Sequence, residues 1–375
     1  MPATVLERSA SVPAPIHGAQ DLRFWHRSRG RAPGSVPEPA SRRGYGGPVT
    51  VPAPPDLHVY RVGLRTRFRG LTERDGVLLR GDAGWGEFSP FWDYDDDESA
   101  AWWRAAVEAA GEGWPAPVRD AVPVNVTVPA VGPDLARHVV ARSAGCRTAK
   151  VKVAEPGQSV DDEIARLEAV RDALGPGGRI RIDANGAWDV PTAVDRLRVL
   201  DRAAGGLEYV EQPCATVDEL AAVRRAVDVP VAADESIRRA EDPLAVVRAQ
   251  AADVVVLKVQ PLGGVRACLE LAERVGLPVV VSSALESSVG LAAGVALAAA
   301  LPELPYACGL ATAQLFTADV VADPLLPVDG AIAVRRTEPD AALLATHAAD
   351  DALRARWTER TARVAAVAGT TGPRA

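Results

Sequence analysis

Six polar residues each end a short apolar run, and they recur at intervals that suit a β-strand followed by a helix. The gaps between successive members are 31, 28, 23, 24 and 25 residues, about the length of one strand and its returning helix. In a parallel barrel the carboxyl ends of the strands meet on one rim, so we expect these side chains to converge there. The six residues are Lys152, Asp183, Glu211, Asp234, Lys258 and Ser283.

The three acidic members of this set predict a metal site. Asp183, Glu211 and Asp234 would repel one another on one rim unless a cation lay among them. Taken singly, each could instead cap the following helix or carry a loop charge. An oxygen-only ligand set suits Mg²⁺ or Mn²⁺, with water or substrate completing the octahedron.

The lysines predict proton transfer. Lys150 and Lys152 are two residues apart on a predicted strand, so both point to the same face, which is the barrel interior. Lysines are costly there without a role. Lys150 and a nearby cation disfavour a second positive charge, so Lys152 is our candidate general base. Lys258 would face it across the pocket, to stabilise a developing enolate or to act as a second acid or base.

The elements that position these residues follow a regular order. From Pro123, eight Val- and Ile-rich runs alternate with helical segments, which indicates a parallel sheet covered on both faces and favours closure into a barrel. Before it, residues 57–65 and 76–88 alternate like antiparallel strands, and residues 95–110 read as a helix. We predict an α+β capping domain at 56–122, a barrel at 123–323, and a C-terminal segment at 324–375 that could return to the cap.

The remaining features limit the class of protein. Residues 1–55 are rich in Pro and Gly, and we predict that they are disordered, with a docking arm as the alternative. The formal charge of -7 and pI near 5.4 argue against a nucleic-acid partner and leave a small-molecule substrate.

The cysteines and the apolar stretches indicate the compartment. The four cysteines lack metal or disulfide spacing. The longest apolar stretch, Gly290–Pro302, is too short to cross a bilayer. We therefore expect a cytoplasmic protein with no membrane partner, of open oligomeric state.

The segments KVK, DAN, EQP, ADES and LKVQPLGG together resemble the muconate-lactonizing subgroup of the enolase superfamily, over residues 57–334. The resemblance implies a modified (β/α)7β TIM-like barrel with a smaller α+β capping domain, Mg²⁺ bound by three carboxylates, and removal of a proton α to a carboxylate. By position it implies Asp183, Glu211 and Asp234 as ligands, Lys152 as the acid/base and Lys258 as its partner.

Within the subgroup the choice lies among dehydration, racemisation or epimerisation, and cycloisomerisation. No barrel run contains His, which disfavours branches that use a His base. RTRFRG at 65–70, GWGEFSPF at 84–91 and SSALESSVGL at 282–291 resemble members that dehydrate 2-succinyl-6-hydroxy-2,4-cyclohexadiene-1-carboxylate to o-succinylbenzoate in menaquinone biosynthesis, by syn elimination of water. N-acylamino-acid racemase or dipeptide epimerase activity is the alternative, and a non-catalytic binding barrel is a more distant one.

Candidate substrate contacts come from polar residues near the same rim. The hydroxyls of Ser282 and Ser283 could bind the succinyl carboxylate or could cap the next helix. Arg67 and Arg69 in the cap could meet a carboxylate or face solvent. Asn185 could orient a metal-bound water or hold its loop.

Overall fold

The N-terminal part of the structure is an antiparallel meander packed on one helix, in a computed structural model that describes residues 57–370. The run predicted as one strand over residues 76–88 is divided by a turn at Asp82 and Ala83, and Gly84 directly after it has a φ of 129° that suits only glycine. The helix begins after Asp95, whose side chain accepts a hydrogen bond of 2.8 Å from the backbone N–H of Glu98. The elements are β1 (Leu57–Phe68), β2 (Leu71–Gly81), β3 (Gly84–Phe88) and α1 (Asp96–Gly111).

Seven short parallel strands follow in chain order and form the sheet that carries the site. Their Val, Ile and Ala residues are buried because helices cover the outer face and side chains fill the interior. A short strand, β4 (Ala121–Pro123), precedes them. The seven are β5 (Val126–Val128), β6 (Thr148–Lys152), β7 (Arg179–Asp183), β8 (Val210–Glu211), β9 (Val231–Ala233), β10 (Val254–Leu257) and β11 (Val279–Val281).

The eighth predicted run closes the barrel without forming a regular strand. Cys308 donates a backbone hydrogen bond of 2.8 Å to Pro123 and accepts one of 2.9 Å from Asn125. On its other side, Gly309 donates a backbone bond of 2.8 Å to Val281. The segment that leads into β5 and the last strand, β11, are therefore joined through two residues.

Helices cover the outside of the barrel, and local sequence explains where several of them begin. Ser159 and Asp162 form a reciprocal capping box at the start of α3 (Val160–Leu174), and Thr216 and Glu219 form another at the start of α5 (Val217–Ala226). The helices are α2 (Pro133–Ala141), α3 (Val160–Leu174), α4 (Val190–Ala204), α5 (Val217–Ala226), α6 (Glu235–Arg238), α7 (Ala245–Arg248), α8 (Val259–Leu262), α9 (Val265–Val275) and α10 (Ser288–Ala300).

The C-terminal segment contacts both parts of the fold. Its strand pairs antiparallel with β4, and its last helix packs against α1. Arg360 donates hydrogen bonds of 2.8 Å to the carbonyls of Phe91 and Tyr94 and one of 2.9 Å to the hydroxyl of Ser99. The elements are β12 (Ala331–Ala333), α11 (Ala341–Thr346) and α12 (Asp351–Thr370).

Two carboxylates of the cap satisfy the N-terminal N–H groups of barrel helices. Glu108 on α1 accepts bonds of 2.6 Å and 3.1 Å from the backbone N–H groups of Val265 and Arg266, at the start of α9. Glu87 on β3 accepts a bond of 3.0 Å from the N–H of Gly290, in the first turn of α10. Both side chains lie at the positive ends of helix dipoles, although burial raises the pKa of Glu87 and opposes its charge. The cap is therefore held to the barrel by directional hydrogen bonds as well as by packing.

No helix among residues 57–370 is long and apolar enough to span a membrane. The disorder predicted for residues 1–55 lies outside the described part of the chain, and the domain boundaries stay a prediction.

Replacing Glu108 by Ala should lower the apparent free energy of unfolding by about 1–3 kcal/mol, because it leaves the two N–H groups at the start of α9 without an acceptor. Urea unfolding followed by tryptophan fluorescence measures the change. The matched control is Glu112→Ala, one helical turn further on, where the side chain is 68% exposed and the expected change is under about 0.5 kcal/mol. Equal losses in the two variants would contradict the capping role.

Candidate active site

Strand register places the polar residues at the ends of β6, β7 and β8 in one row. Lys152 pairs with Asp183, and Asp183 pairs with Glu211. Paired residues of a parallel sheet point to the same face, so all three side chains lie inside the barrel rim. Asp234 directly follows β9, Lys258 directly follows β10 and Ser283 lies two residues after β11, so all six predicted residues lie at the same end of the barrel.

Each carboxylate of this rim lies against the ammonium group of a lysine. Lys150 Nζ is 2.6 Å from Glu211 Oε1 and 2.9 Å from Asp183 Oδ2. Lys152 Nζ is 2.5 Å from the same oxygen of Asp183, and Lys258 Nζ is 2.6 Å from Asp234 Oδ2. The three acidic residues are each only 1% exposed, so these pairs are shielded from water and from salt.

The buried carboxyl groups differ in how well their charge is compensated. Burial would raise the pKa of Asp183, but Lys150 and Lys152 outweigh it and hold that pKa well below its usual range. Burial likewise opposes the charge of Asp234, and Lys258 with Arg238 lowers its pKa to about 2. For Glu211, burial raises the pKa to about 7, since Lys150 offsets it only in part and Asp183 adds repulsion. The neighbouring cations therefore outweigh burial at Asp183 and Asp234 but not at Glu211.

The donor set fits a hard divalent cation. Among residues 57–370 no three His, Cys, Asp or Glu side chains converge as a ready-made metal cluster; here the ammonium group of Lys150 bridges Asp183 and Glu211. The available donors are buried carboxylate oxygens at the ends of adjacent strands, which are the ligands that such ions prefer. Beside Asp234, Glu235 Oε2 is buried without a hydrogen-bond partner, so the site has a further oxygen able to take a polar contact.

Asn185 connects the base candidate to the neighbouring carboxylate. Its side-chain oxygen accepts a hydrogen bond of 2.7 Å from Lys152 Nζ, and its backbone N–H donates one of 2.9 Å to Asp183 Oδ1. The backbone has a φ of 48° here, a left-handed conformation that Asn tolerates better than most residues. Asn185 therefore holds both the loop and the lysine.

Gln212 is a supporting residue that sequence reasoning did not single out. Its side-chain oxygen accepts bonds of 3.0 Å and 3.2 Å from the backbone N–H groups of Asp234 and Ser236. Its amide nitrogen donates to the Cys214 carbonyl at 2.9 Å and to the Ser236 hydroxyl at 2.8 Å. The side chain thus fixes the backbone that carries Asp234. An uncharged polar residue at a buried strand end, next to Glu211, is the signal that could have identified it.

The serine pair after β11 is engaged within its own loop. The Ser283 hydroxyl donates to Glu286 at 2.6 Å and accepts from the Thr312 hydroxyl at 2.7 Å. The Ser282 hydroxyl donates to the carbonyl of Gly309 at a long distance of 3.5 Å, while its backbone N–H donates to the carbonyl of Leu257 at 2.9 Å. Helix α10 is capped by Ser287, so the alternative that Ser282 and Ser283 cap it is wrong. Their contact with substrate stays a prediction.

The two cap arginines make contacts inside the cap. Arg67 is exposed and donates to the carbonyl of Gly70 at 3.2 Å. The guanidinium of Arg69 lies 4.2 Å from the centre of the Phe91 ring and forms an ion pair of 3.0 Å with Asp93. None of these contacts reaches the carboxylates of the rim, and a substrate contact by either arginine stays a prediction.

Lysine usage provides a second signal that sequence reasoning left unused. Lys150, Lys152 and Lys258 are the only three lysines in a chain with 42 lysines and arginines in total. Arginine keeps its proton in proteins, whereas a lysine amine can lose its proton and act as a base. All three lysines of the chain therefore lie at the rim, each within ion-pair distance of a buried carboxylate.

Two family descriptions match the chain, and relatives are similar over most of it. Residues 134–339 match the enolase C-terminal domain-like family, and residues 59–110 match the enolase N-terminal domain-like family. The o-succinylbenzoate synthase of Thermobifida fusca is 72% identical over 279 residues, which cover 74% of this chain and 87% of that protein. The one from Mycolicibacterium smegmatis is 56% identical over 304 residues, which cover 81% of this chain and 93% of that protein.

The chain belongs to the o-succinylbenzoate synthase family of the enolase superfamily.

Membership of the o-succinylbenzoate synthase family confirms the predicted superfamily and means that the chain is an enzyme with a small-molecule substrate. It also implies a divalent metal ion, in agreement with the donor set. A solved structure of muconate lactonizing enzyme from Pseudomonas fluorescens aligns with a TM-score of 0.68 at 23% identity, over 78% of this chain and 98% of that one. This similarity confirms the predicted fold class.

Replacing Gln212 by Leu should lower the apparent free energy of unfolding by about 2–4 kcal/mol, because the buried N–H groups of Asp234 and Ser236 lose their acceptor. Urea unfolding measures the loss. Gln314→Leu, at a half-buried position outside the rim, is the control and should change stability by less than about 1 kcal/mol. A Gln212→Leu protein as stable as the control would show that these bonds contribute little.

Proposed function

We propose that this chain dehydrates 2-succinyl-6-hydroxy-2,4-cyclohexadiene-1-carboxylate to o-succinylbenzoate, with Mg²⁺ as its cofactor. The observation that carries the proposal is the row of Lys152, Asp183 and Glu211 across three adjacent strands, with Lys258 at the same rim. The names of the relatives at 72% and 56% identity support the choice of reaction. The reaction belongs to menaquinone biosynthesis.

Asp183, Glu211 and Asp234 would hold the Mg²⁺, with Mn²⁺ as a substitute. When bound, the ion would act as a Lewis acid and stabilise negative charge that develops on the substrate carboxylate. The three carboxylates are buried at the ends of consecutive strands, so they are held on the rigid part of the fold.

Lys152 is the proposed acid/base because it is the more accessible lysine of the Lys-X-Lys pair. Its side chain is 21% exposed, against 9% for Lys150, so its amine can reach a ligand at the rim. Burial opposes the charge of Lys150, but attraction by Asp183 and Glu211 outweighs it and raises the pKa of Lys150 well above its usual value. Lys150 therefore serves as a fixed positive charge beside Lys152.

The chemistry of Lys152 and Lys258, the two more accessible lysines, follows from their positions. Lys152, as the neutral amine, takes the ring proton α to the carboxylate, and its ammonium form then gives that proton to the departing hydroxide as the C–O bond breaks. The products are water and an aromatic ring, and Lys152 returns to its starting state. Lys258, as a cation, stabilises the negative charge that develops between the two steps.

Metal dependence is the first test of the proposed reaction. Purified protein with freshly prepared substrate and Mg²⁺ should produce the ultraviolet absorbance of the aromatic product, and excess EDTA should abolish that change until Mg²⁺ is restored in excess. Folded, metal-loaded protein that gives no product would overturn the proposal. Exchange of the α-proton of N-acylamino acids or dipeptides in D₂O would then support a racemase or epimerase.

Replacing Lys152 by Ala should lower kcat by about 10²–10⁴-fold, since the general acid/base is removed. Circular dichroism and melting temperature check that the fold is retained. Added small primary amines should restore part of the activity, because they can enter the space of the missing side chain and accept the proton. Substantial turnover by Lys152→Ala without added amine would refute the assignment.

A further inference from the structure

Arg238 joins a proposed metal ligand to the cap. It lies on α6, four residues after Asp234, and its Nε donates a hydrogen bond of 3.0 Å to Asp234 Oδ1. Its two terminal nitrogens donate to Glu235 Oε1 at 2.5 Å and to the hydroxyl of Tyr94 at 2.8 Å. The side chain is only 8% exposed, so one buried guanidinium holds two acidic side chains of the barrel and one tyrosine of the cap.

Tyr94 is itself held firmly within the cap. It is 6% exposed and its ring packs edge-on against Trp102 and Phe91, with centroids 5.9 Å and 5.8 Å apart. The guanidinium of Arg69, from the turn between β1 and β2, lies 5.3 Å from the centre of the Tyr94 ring. The contacts therefore run without a break from the β1–β2 turn through Tyr94 and Arg238 to Asp234.

The orientation of the Asp234 carboxylate depends on these partners. Asp234 stands at the N-cap position of α6, but its side chain makes no capping hydrogen bond. One of its oxygens is held by Lys258 and the other by Arg238. Capping does not set the rotamer of Asp234, so the two cations do, and Arg238 also donates a hydrogen bond to Tyr94 of the cap.

We propose that Arg238 and Tyr94 are positioning residues that hold the Asp234 carboxylate ready for the metal ion and make metal affinity depend on the cap. The inference rests on the proposed role of Asp234 as a ligand. Partners that orient a ligating carboxylate commonly change metal affinity by about 10- to 100-fold when they are removed.

The charge of Arg238 and its effect on the orientation of the Asp234 carboxylate change metal affinity in opposite directions. The positive charge of Arg238 repels a metal ion, so a role through charge alone would make metal binding tighter when that charge is removed. A role through orientation makes binding weaker when the fork of hydrogen bonds is lost, whether or not the charge remains, because the compact ammonium of lysine does not reproduce a guanidinium that contacts three residues through three separate nitrogens. Lysine and methionine replacements therefore separate the two.

The experiment is a titration of metal-free protein with Mn²⁺. Electron paramagnetic resonance measures the concentration of free Mn²⁺ at each step, and this gives the affinity of the protein for the ion. Arg238→Lys should weaken Mn²⁺ binding by about 10-fold or more, Arg238→Met should weaken it as well, and Tyr94→Phe should weaken it by a smaller factor. Tyr94→Phe removes a single oxygen atom, so it keeps the test valid if the arginine variants fail to fold.

The neighbouring arginine provides a matched control. Arg239 also lies 5.3 Å from the Tyr94 ring centre, but its ion pair of 2.8 Å is with Glu98 and it makes no hydrogen bond to Asp234. Arg239→Lys should leave Mn²⁺ affinity unchanged within about twofold. Weakening as large as that in Arg238→Lys would indicate a general effect of the cap surface and overturn the specific role.

Asp234→Asn separates failure of this inference from failure of the proposed site. If Asp234→Asn loses Mn²⁺ affinity while Arg238→Lys and Tyr94→Phe bind normally, the positioning role is wrong and the ligand assignment stands. Tighter binding by Arg238→Met would likewise overturn the positioning role in favour of charge. Normal binding by Asp234→Asn would overturn the ligand assignment and this inference together.

Discussion

Three carboxylates buried within one barrel rim are the constraint on which the rest of the structure depends. Each would be expensive to bury alone, and together they repel one another. Four cationic side chains offset this cost. Lys150, Lys152 and Lys258 contact the carboxylates, and Arg238 forms a second ion pair with Asp234. The same cations that make burial tolerable are the groups suited to move a proton or to stabilise an anion, so stability and chemistry have one origin here.

Below the rim, a buried charge in the barrel interior is likewise paired with an opposite charge. Arg181 is fully buried, and its guanidinium forms an ion pair with Glu208 and donates to the Tyr209 hydroxyl at 2.8 Å. Attraction by these two partners outweighs burial and raises the pKa of Arg181. The buried guanidinium of Arg181 is therefore paired without using a carboxylate of the rim.

The cap is joined to the barrel through charges rather than through apolar area alone. Glu87 and Glu108 occupy the N-termini of two barrel helices, while Tyr94 reaches Arg238 beside the rim. Helix N-termini present free N–H groups and a positive dipole end, so a carboxylate from another element satisfies both at once. The position of the cap over the rim is thus set by directional bonds, which restrict sliding more than apolar packing does.

The sequence by itself determined the barrel, its cap and the set of rim residues. Apolar runs that alternate with helical segments, and polar residues at regular spacing, can be recognised along the chain without a structure. Lys152, Asp183 and Glu211 could be placed on one rim from spacing alone. The strand register of the structure was needed to show that they pair in one row and that Lys150 bridges two carboxylates.

Contacts between distant segments were decided only by the tertiary structure. Gln212 supports Asp234 from the preceding strand, and Tyr94 meets Arg238 across 144 residues of chain. The closing segment around Cys308 makes ladder bonds without becoming a regular strand. Such contacts depend on how elements pack, and no periodicity along the chain encodes them, since the partners lie on separate elements whose spacing in sequence is unrelated to their distance in space.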